Sequence, residues 1–372
     1  MHKFFKSIAV LLVFAAVGGC FYYYYYQQKQ KQAQFYAQPA VKLAKDGTNI
    51  NPAWQAEPAY KRRLSSKYSN LYQAAFQTPA NTKVGANVIV PGLRQTKANN
   101  LQTQKLSKCH AMTPQGLTVA GKYLLISAYD GEHLHASVIY CLNKKTGRYL
   151  KTIQVAGKPH LGGIAYDPTG KNVWLTGENS SGSALMSISL AAIEKHHDGQ
   201  PIAYQQVINL PTIERASTVT YFDNQLFVGF FNNYDHGKVA AYPLARSGIF
   251  KNSIASDQIK SVTGQATWSM GSGSATMDQQ IQGIAFYRDW IFLSQSYGGQ
   301  DSKLYIFPVS AINNLDEKNA QKVITFPPYL EQITVQNGQL LCLFESGSKK
   351  YARDSIMVMD RVLSVNIMAL FG

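Results

Sequence analysis

Two stretches of the chain whose first residues lie 167 positions apart carry the same phrase: "PQGLTVAGKYLLISAY" at 114–129 and "IQGIAFYRDWIFLSQSY" at 281–297. Both place Gln-Gly before a short apolar run, then a turn, a second apolar run, and a Ser/Tyr ending. Three further stretches share the layout: "HLGGIAYDPTGKNVWLTG" at 160–177, "RASTVTYFDNQLFVGF" at 215–230 and "YLEQITVQNGQLLCLFE" at 329–345. The first central apolar residues are Leu117, Ile164, Val219, Ile284 and Ile333, at spacings of 47, 55, 65 and 49. Each unit continues into a third strand and, in the first and fourth, a clear fourth: "SVIYCLNKKTGRYLKTIQV", and "KLYIFPV" followed by "KVITF". Four short strands repeating at about fifty residues is the period of a β-propeller blade. One blade leaves both faces of its sheet uncovered, so blades stack radially and each covers the next.

The expectation is an all-β propeller of five four-stranded blades over residues 84–372. A sixth blade is available from "NVIVPGL" at 87–93, and "RVLSVNI" at 361–367 is placed to close the ring beside N-terminal sequence. Composition agrees with many short strands and turns: charged residues are only 15% of the chain, against 28 Gly and 23 Tyr.

The formal charge of +15 is unevenly placed. Residues 1–108 hold 15 Lys/Arg with only Asp46 and Glu57, whereas residues 109–372 hold 21 Lys/Arg against 19 Asp/Glu. A basic leader on a nearly neutral body points to an anionic lipid or wall polymer near the leader, and away from nucleic acid. The chain opens "MHKFFKS", and Ile8 to Tyr26 then run without a charge, long enough to span a bilayer. Residues 1–26 are therefore expected to be a signal anchor; the alternatives are a lipoprotein peptide acylated at Cys20, after Val17-Gly18-Gly19, or a cleaved secretion signal. All three readings put the body outside the cytoplasm; the anchor and lipoprotein readings keep it on the membrane's outer face. Residues 27–83, with "QQKQKQAQ" and one helix expected around Tyr60 to Phe76, read as a basic, low-complexity stalk.

Equivalent positions in stacked blades fall on one ring around the channel. Two residues before each central apolar residue stand Gln115, Gly162, Ser217, Gln282 and Glu331; four before stand Thr113, His160, Arg215, Gln280 and Tyr329. Gln115, His160, Arg215, Gln282 and Glu331 are the expected ligand-binding set at a polar channel mouth. Glu331, Glu345, Glu178 and His160 are the candidate acid–base residues, Glu178 and Glu345 each ending a second strand at the rim. Asp130, Glu132, His133 and His135 in "YDGEHLHASV" are candidate metal ligands, since His-x-His in extended chain turns both rings to one face. A divalent metal is the one cofactor these residues could take; no other cofactor is expected. No Ser-His-Asp signature, phosphate loop, Cys-x-x-Cys or His-Glu-x-x-His is present, so the sequence leaves open whether the protein is an enzyme or binds a ligand or protein partner. Cys141 and Cys342 lie within apolar strands and read as core residues.

The run "MTPQGLTV", "LISAYD", "SVIYCLNKKTGRYLKTI", "KPHLGGIAYD", with "IQGIAF", "LSQSYG" and "LFESGSKKY" further on, resembles extracytoplasmic β-propeller proteins of Gram-positive bacteria. The resemblance covers roughly residues 84–372 and implies a fold and a cell-surface setting, but no activity. Gln115-Gly116-Leu117 is also similar to the start of the first blade in plant-type glutaminyl cyclases, five-bladed propellers with glutamates at two further positions. Here those positions are Ser127-Ala128 and Gly162-Gly163, so the cyclase chemistry is not implied.

Overall fold

The computed structural model describes residues 17–27, 29–30, 38–78, 87–179, 182–197, 199–210, 215–230, 237–244, 266–268, 280–312, 315 and 317–371. These residues form five four-stranded antiparallel sheets. Blade 1 is Met112–Ala120, Tyr123–Asp130, Val138–Asn143 and Tyr149–Gln154; blade 2 is Ile164–Asp167, Asn172–Asn179, Gly182–Ser189 and Gln206–Asn209. Blade 3 is Ala216–Phe222, Gln225–Phe230, Gly237–Pro243 and Ala266–Trp268; blade 4 is Ile281–Tyr287, Trp290–Gln295, Ser302–Pro308 and Lys322–Phe326. Blade 5 takes Leu330–Gln336, Gln339–Phe344 and Arg361–Asn366 from the end of the chain. Its outermost strand is Asn87–Ile89, paired with Arg361–Leu363. "NVIVPGL" therefore completes the fifth blade instead of starting a sixth, and the two ends of the domain are tied by backbone hydrogen bonds. The first strands of successive blades touch in ring order, blade 5 closing onto blade 1. The protein is a five-bladed β-propeller.

Strand alternation builds the core. In the second strand of blade 1, Leu124, Ile126 and Ala128 pack toward blade 5, while Tyr123 and Leu125 pack toward blade 2. A strand buried on both faces needs apolar residues at every position, and this one reads Tyr-Leu-Leu-Ile-Ser-Ala-Tyr. Separate apolar clusters fill the gaps between blades 2 and 3, 3 and 4, and 4 and 5. The first hairpins of blades 3 and 5 turn on Asp223-Asn224 and Asn337-Gly338, both pairs at positive φ, which matches the right-handed twist of the flanking strands.

The stalk expectation is corrected over residues 38–78. The helix Glu57–Lys67 buries Ala59, Tyr60 and Leu64, and Leu71, Ala74 and Ala75 join them in the core between blades 4 and 5. A buried ion pair fastens this strap: Arg361 Nη1 lies 2.5 Å from Asp360 Oδ1, and Nη2 donates to the Gln55 carbonyl at 2.7 Å. The guanidinium also lies 4.5 Å over the Tyr60 ring, and the backbone N–H of Trp54 donates to Asp360 Oδ2 at 2.9 Å. Low complexity is confined to residues 27–34; from Ala53 onward the apolar residues are spaced to cover one seam of the propeller. Tyr68 donates to Asp301 at 2.5 Å, joining the strap to blade 4. Tyr68→Phe is expected to lower stability by about 1 kcal/mol in urea denaturation, and an unchanged midpoint would show the strap docks without that bond.

Residues 1–16 and 31–37 lie outside the described residues, so the anchor expectation falls largely beyond them. Among the described residues no helix is long and apolar enough to cross a membrane. Residues 17–27 are helical, and Cys20 is exposed.

Candidate functional site at the channel mouth

The first strands of four blades carry a β-bulge at the same place. Register shifts fall between Pro114 and Gly116, Ala216 and Thr218, Ile281 and Gly283, and Leu330 and Ile333. The displaced residues are Gln115, Ser217, Gln282 and the Glu331-Gln332 pair. A bulge re-aims a side chain that the pleat would otherwise have sent into the inter-blade core. Local backbone irregularity, repeated around the ring, thus turns polar groups toward the channel.

The glycine after the bulge has its own reason. A Cβ on Gly116 would lie 2.4 Å from Ser127 Oγ and 3.0 Å from Gln332 Oε1; one on Gly283 would lie 2.7 Å from Ser294 Oγ and 2.9 Å from the Ile333 backbone nitrogen. Gly116 pairs with Ser127, and Gly283 with Ser294. The missing side chain lets each serine reach the next blade's chain: Ser127 donates to the Leu161 carbonyl at 3.0 Å, Ser294 to the Glu331 carbonyl at 2.8 Å. The repeated Gln-Gly and Ser are therefore a bulge, a gap and an inter-blade hydrogen bond.

Gln332 closes the channel beneath these residues. It is almost fully buried, and its Oε1 accepts from the backbone N–H groups of Leu117 (3.0 Å) and Ile164 (2.9 Å). Its Nε2 donates to the carbonyls of Ile164 (2.9 Å) and Val219 (2.8 Å). One amide from blade 5 thereby ties blades 1, 2 and 3.

Near this end of the channel lies a cavity of about 1000 Å³, lined by Gln115, His160, Arg215, Gln282 and Glu331, all five of the expected mouth residues. Glu178 and Glu345 line it too, with Tyr204, Tyr297, Tyr329 and Tyr351 among the walls and Lys158 and His133 joining them. Glu331 is only 2% exposed and Glu345 8%. Their carboxyls hydrogen-bond each other, and Gln115 Nε2 donates to Glu345 Oε2 at 2.8 Å. The partner of Glu345 is therefore Glu331 and not Glu178, which stays exposed on the rim of blade 2.

Burial raises the pKa of both acids. Desolvation, and then the negative charge of Glu345, hold Glu331 well above the ordinary carboxylate range. Desolvation lifts Glu345 to about 7 against the opposing help of Gln115, Lys350 and Glu331. Both shifts run in the same direction, so the pair holds on to a proton between its two carboxyls at neutral pH. Around the pair, Lys350 Nζ donates to the Tyr129 hydroxyl at 3.3 Å and lies 4.9 Å over the Tyr351 ring. Burial pushes the Tyr129 phenol up to about 12, so it remains a hydrogen-bond donor at neutral pH. His160 stacks on Tyr129 with ring centroids 4.2 Å apart. Desolvation by the wall, then the positive charges of Lys350, His133 and Arg215, displace its pKa downward and favour the neutral imidazole. The residue lines the cavity and is exposed to it.

The metal-ligand expectation needs correction. Glu132 pairs with Lys349 at 3.0 Å on the surface, and His133 stacks on Tyr129 at 5.6 Å. The His-x-His geometry fails because His133 has φ +57, which breaks the extended alternation and sends the two rings apart. Asp130 and His135 do meet, and Cys109, which no spacing in the sequence marks as a ligand, joins them. Cys109, Cys141 and Cys342 are buried free thiols.

No protein-family model matches the chain, and no curated protein is detectably similar to it in sequence. Among solved structures the chain is similar to hydrazine synthase of Kuenenia stuttgartiensis, at 11% identity and TM-score 0.35 over 62% of this chain. It is also similar to the WD40 β-propeller domain of Doa1, at 6% identity and TM-score 0.31 over 63%, and to the WD40 repeats of RRP9, at 10% and 0.40 over 69%. The chain spans 55%, 62% and 95% of those three chains respectively. The assignment as a propeller rests on the strand order and the ring of touching first strands.

Proposed function

We propose that this protein binds a small polar ligand in the channel-mouth cavity, on the outer face of a membrane to which residues 8–26 hold it. The supporting observation is the buried Glu331–Glu345 pair facing a cavity of about 1000 Å³. Ordinary core positions do not keep two hydrogen-bonded acids beside an open space, because desolvating them costs free energy that apolar residues would save. The buried lining residues Glu331, Glu345 and Gln115 offer carboxyl oxygens and an amide, whereas the exposed Lys158 and Arg215 offer positive charge. A fitting ligand presents hydrogen-bond donors inward and an anionic group outward, as soluble cell-wall peptides and amino-sugar fragments do. Lys29 and Lys31, which follow the anchor, support the same setting by drawing the chain to an anionic lipid or wall polymer.

Calorimetric titration with soluble wall fragments at pH 6 tests this reading. Binding that Arg215→Ala and Glu345→Ala each weaken is expected. No heat with any wall fraction, or binding indifferent to both substitutions, would overturn it.

A second reading, an acid–base enzyme of the hydrolase or lyase class, is favoured by the shared proton. Two carboxyls in hydrogen-bond contact are closer than the separation of about 5 Å or more used in glycoside hydrolysis. They suit proton transfer at one reacting centre, such as water activation beside a carbonyl. Mass spectrometry of wall fragments incubated with the wild type and with Glu345→Gln decides it: products formed only by the wild type support catalysis, and unchanged fragments leave binding as the function.

A further inference from the structure

A second cluster of reactive groups lies outside the cavity, where the two-stranded ribbon Thr96–Asn100 and Lys105–Cys109 meets blade 1. Cys109 ends the ribbon, Asp130 ends the second strand of blade 1, and His135 sits in the loop beyond it. All three are buried, at 2%, 1% and 6% exposure, and their ligand atoms lie within 4.8 Å of one another. His135 Nδ1 is 2.8 Å from Asp130 Oδ2, its Nε2 is 2.9 Å from Ser107 Oγ, and the Cys109 thiol hydrogen-bonds the Asp130 carboxylate. The backbone N–H groups of Glu132, Leu134 and His135 each donate to that carboxylate at 3.0 Å.

We propose that Cys109, Asp130 and His135 form a binding site for one zinc-class divalent cation. A thiolate sulfur, an imidazole nitrogen and a carboxylate oxygen are the donor types such an ion takes, and three protein ligands leave a fourth position for water. Calcium and magnesium fit poorly, since a single carboxylate cannot supply their six or more oxygens. The outer partners are already built. Ser107 Oγ stands where it can accept the imidazole's other N–H, and three backbone N–H groups hold the carboxylate. What binds the three groups together without metal is protons, and the ion replaces them. The thiol releases its proton to solvent, while the imidazole proton moves from Nδ1 to Nε2 and faces Ser107, freeing Nδ1 to ligate. The ion would clip the ribbon to blade 1 and fix the loop that carries His133 to the cavity wall.

The full chain, prepared without chelator and titrated with Co²⁺ under reducing conditions, provides the test. One equivalent is expected to bind and give a near-ultraviolet thiolate-to-cobalt band, which Zn²⁺ bleaches by displacement. Cys109→Ser should remove the band and weaken binding at least about tenfold, while Glu132→Ala and His133→Ala leave both unchanged. Should Cys109→Ser fail to fold, alkylation of the wild type replaces it: Zn²⁺ is expected to protect Cys109 selectively, read by peptide mass spectrometry. A wild type without the band, a band that survives Cys109→Ser, or alkylation of Cys109 indifferent to Zn²⁺ overturns the proposal.

Discussion

Gln332→Leu is expected to destabilise the propeller by about 4 kcal/mol, a loss large for one uncharged side chain. Leucine nearly matches glutamine in size, so packing is kept while four hydrogen bonds are lost. The N–H groups of Leu117 and Ile164 and the carbonyls of Ile164 and Val219 would be left at the centre of the ring. An unsatisfied buried backbone group costs about 1–3 kcal/mol, and the neighbouring blades leave little room for water to replace the amide. Glycines at 116 and 283 have drawn the first strands so close that a Cβ would touch Gln332 itself. The charged substitution Gln332→Glu should do comparable harm, because a carboxylate accepts from the two N–H groups but cannot donate to the two carbonyls. Urea denaturation monitored by fluorescence measures both. A loss under about 1 kcal/mol for Gln332→Leu would mean the blades are joined by their apolar seams alone.

The second large effect concerns the carboxyl pair and depends on pH. Both acids have folded-state pKa values above their unfolded value of 4.5, so the folded protein binds more protons than the unfolded chain between pH 4.5 and the raised values. Stability therefore falls as pH rises through that window and levels off above it. For the pair as a whole the fall is on the order of a few kcal/mol, most of it occurring as pH rises from 4.5 to neutrality. Glu331, raised further, extends the decline to higher pH. Glu331→Gln keeps a donor toward Glu345 and removes one ionisation, so the variant should be more stable than the wild type at about pH 8, by roughly a few kcal/mol, and indistinguishable from it at about pH 4.5. Its ligand affinity should fall at the same time, the usual relation between a binding site and the stability it sacrifices. Parallel pH–stability curves for the two proteins would show that the acids titrate as exposed groups do.

The Glu331–Glu345 pair also shows how far the sequence reaches. The repeat makes Glu331 equivalent to Gln115 and Gln282, which is enough to assign all three to one rim. Alternation alone would turn these side chains into the core, and the bulges that prevent it have no signature beyond the glycine after Gln115 and Gln282. Glu345 is legible as the end of a second strand, but its partner is not, since Glu178 occupies the matching place in blade 2. Gln332 carries no mark at all, because in sequence it looks like any polar residue in a strand. Its importance comes from bonds to three other blades, none of which can be seen from within its own.

The blade period, the apolar alternation that covers both faces of each sheet, the hairpin turns and the ring on which polar groups stand are all written in the sequence. They depend on residues a few positions apart, whose geometry the backbone dictates locally. The count of five belongs to the folded molecule, because Asn87–Ile89 pairs with Arg361–Leu363 from the far end of the domain. So do the packing of residues 38–78 on the body, the meeting of Cys109 with Asp130 and His135, and the proton shared by two acids. Each of those outcomes turns on contacts between distant segments and on the exclusion of water between them. Neither the distance nor the desolvation is encoded in any one stretch of residues.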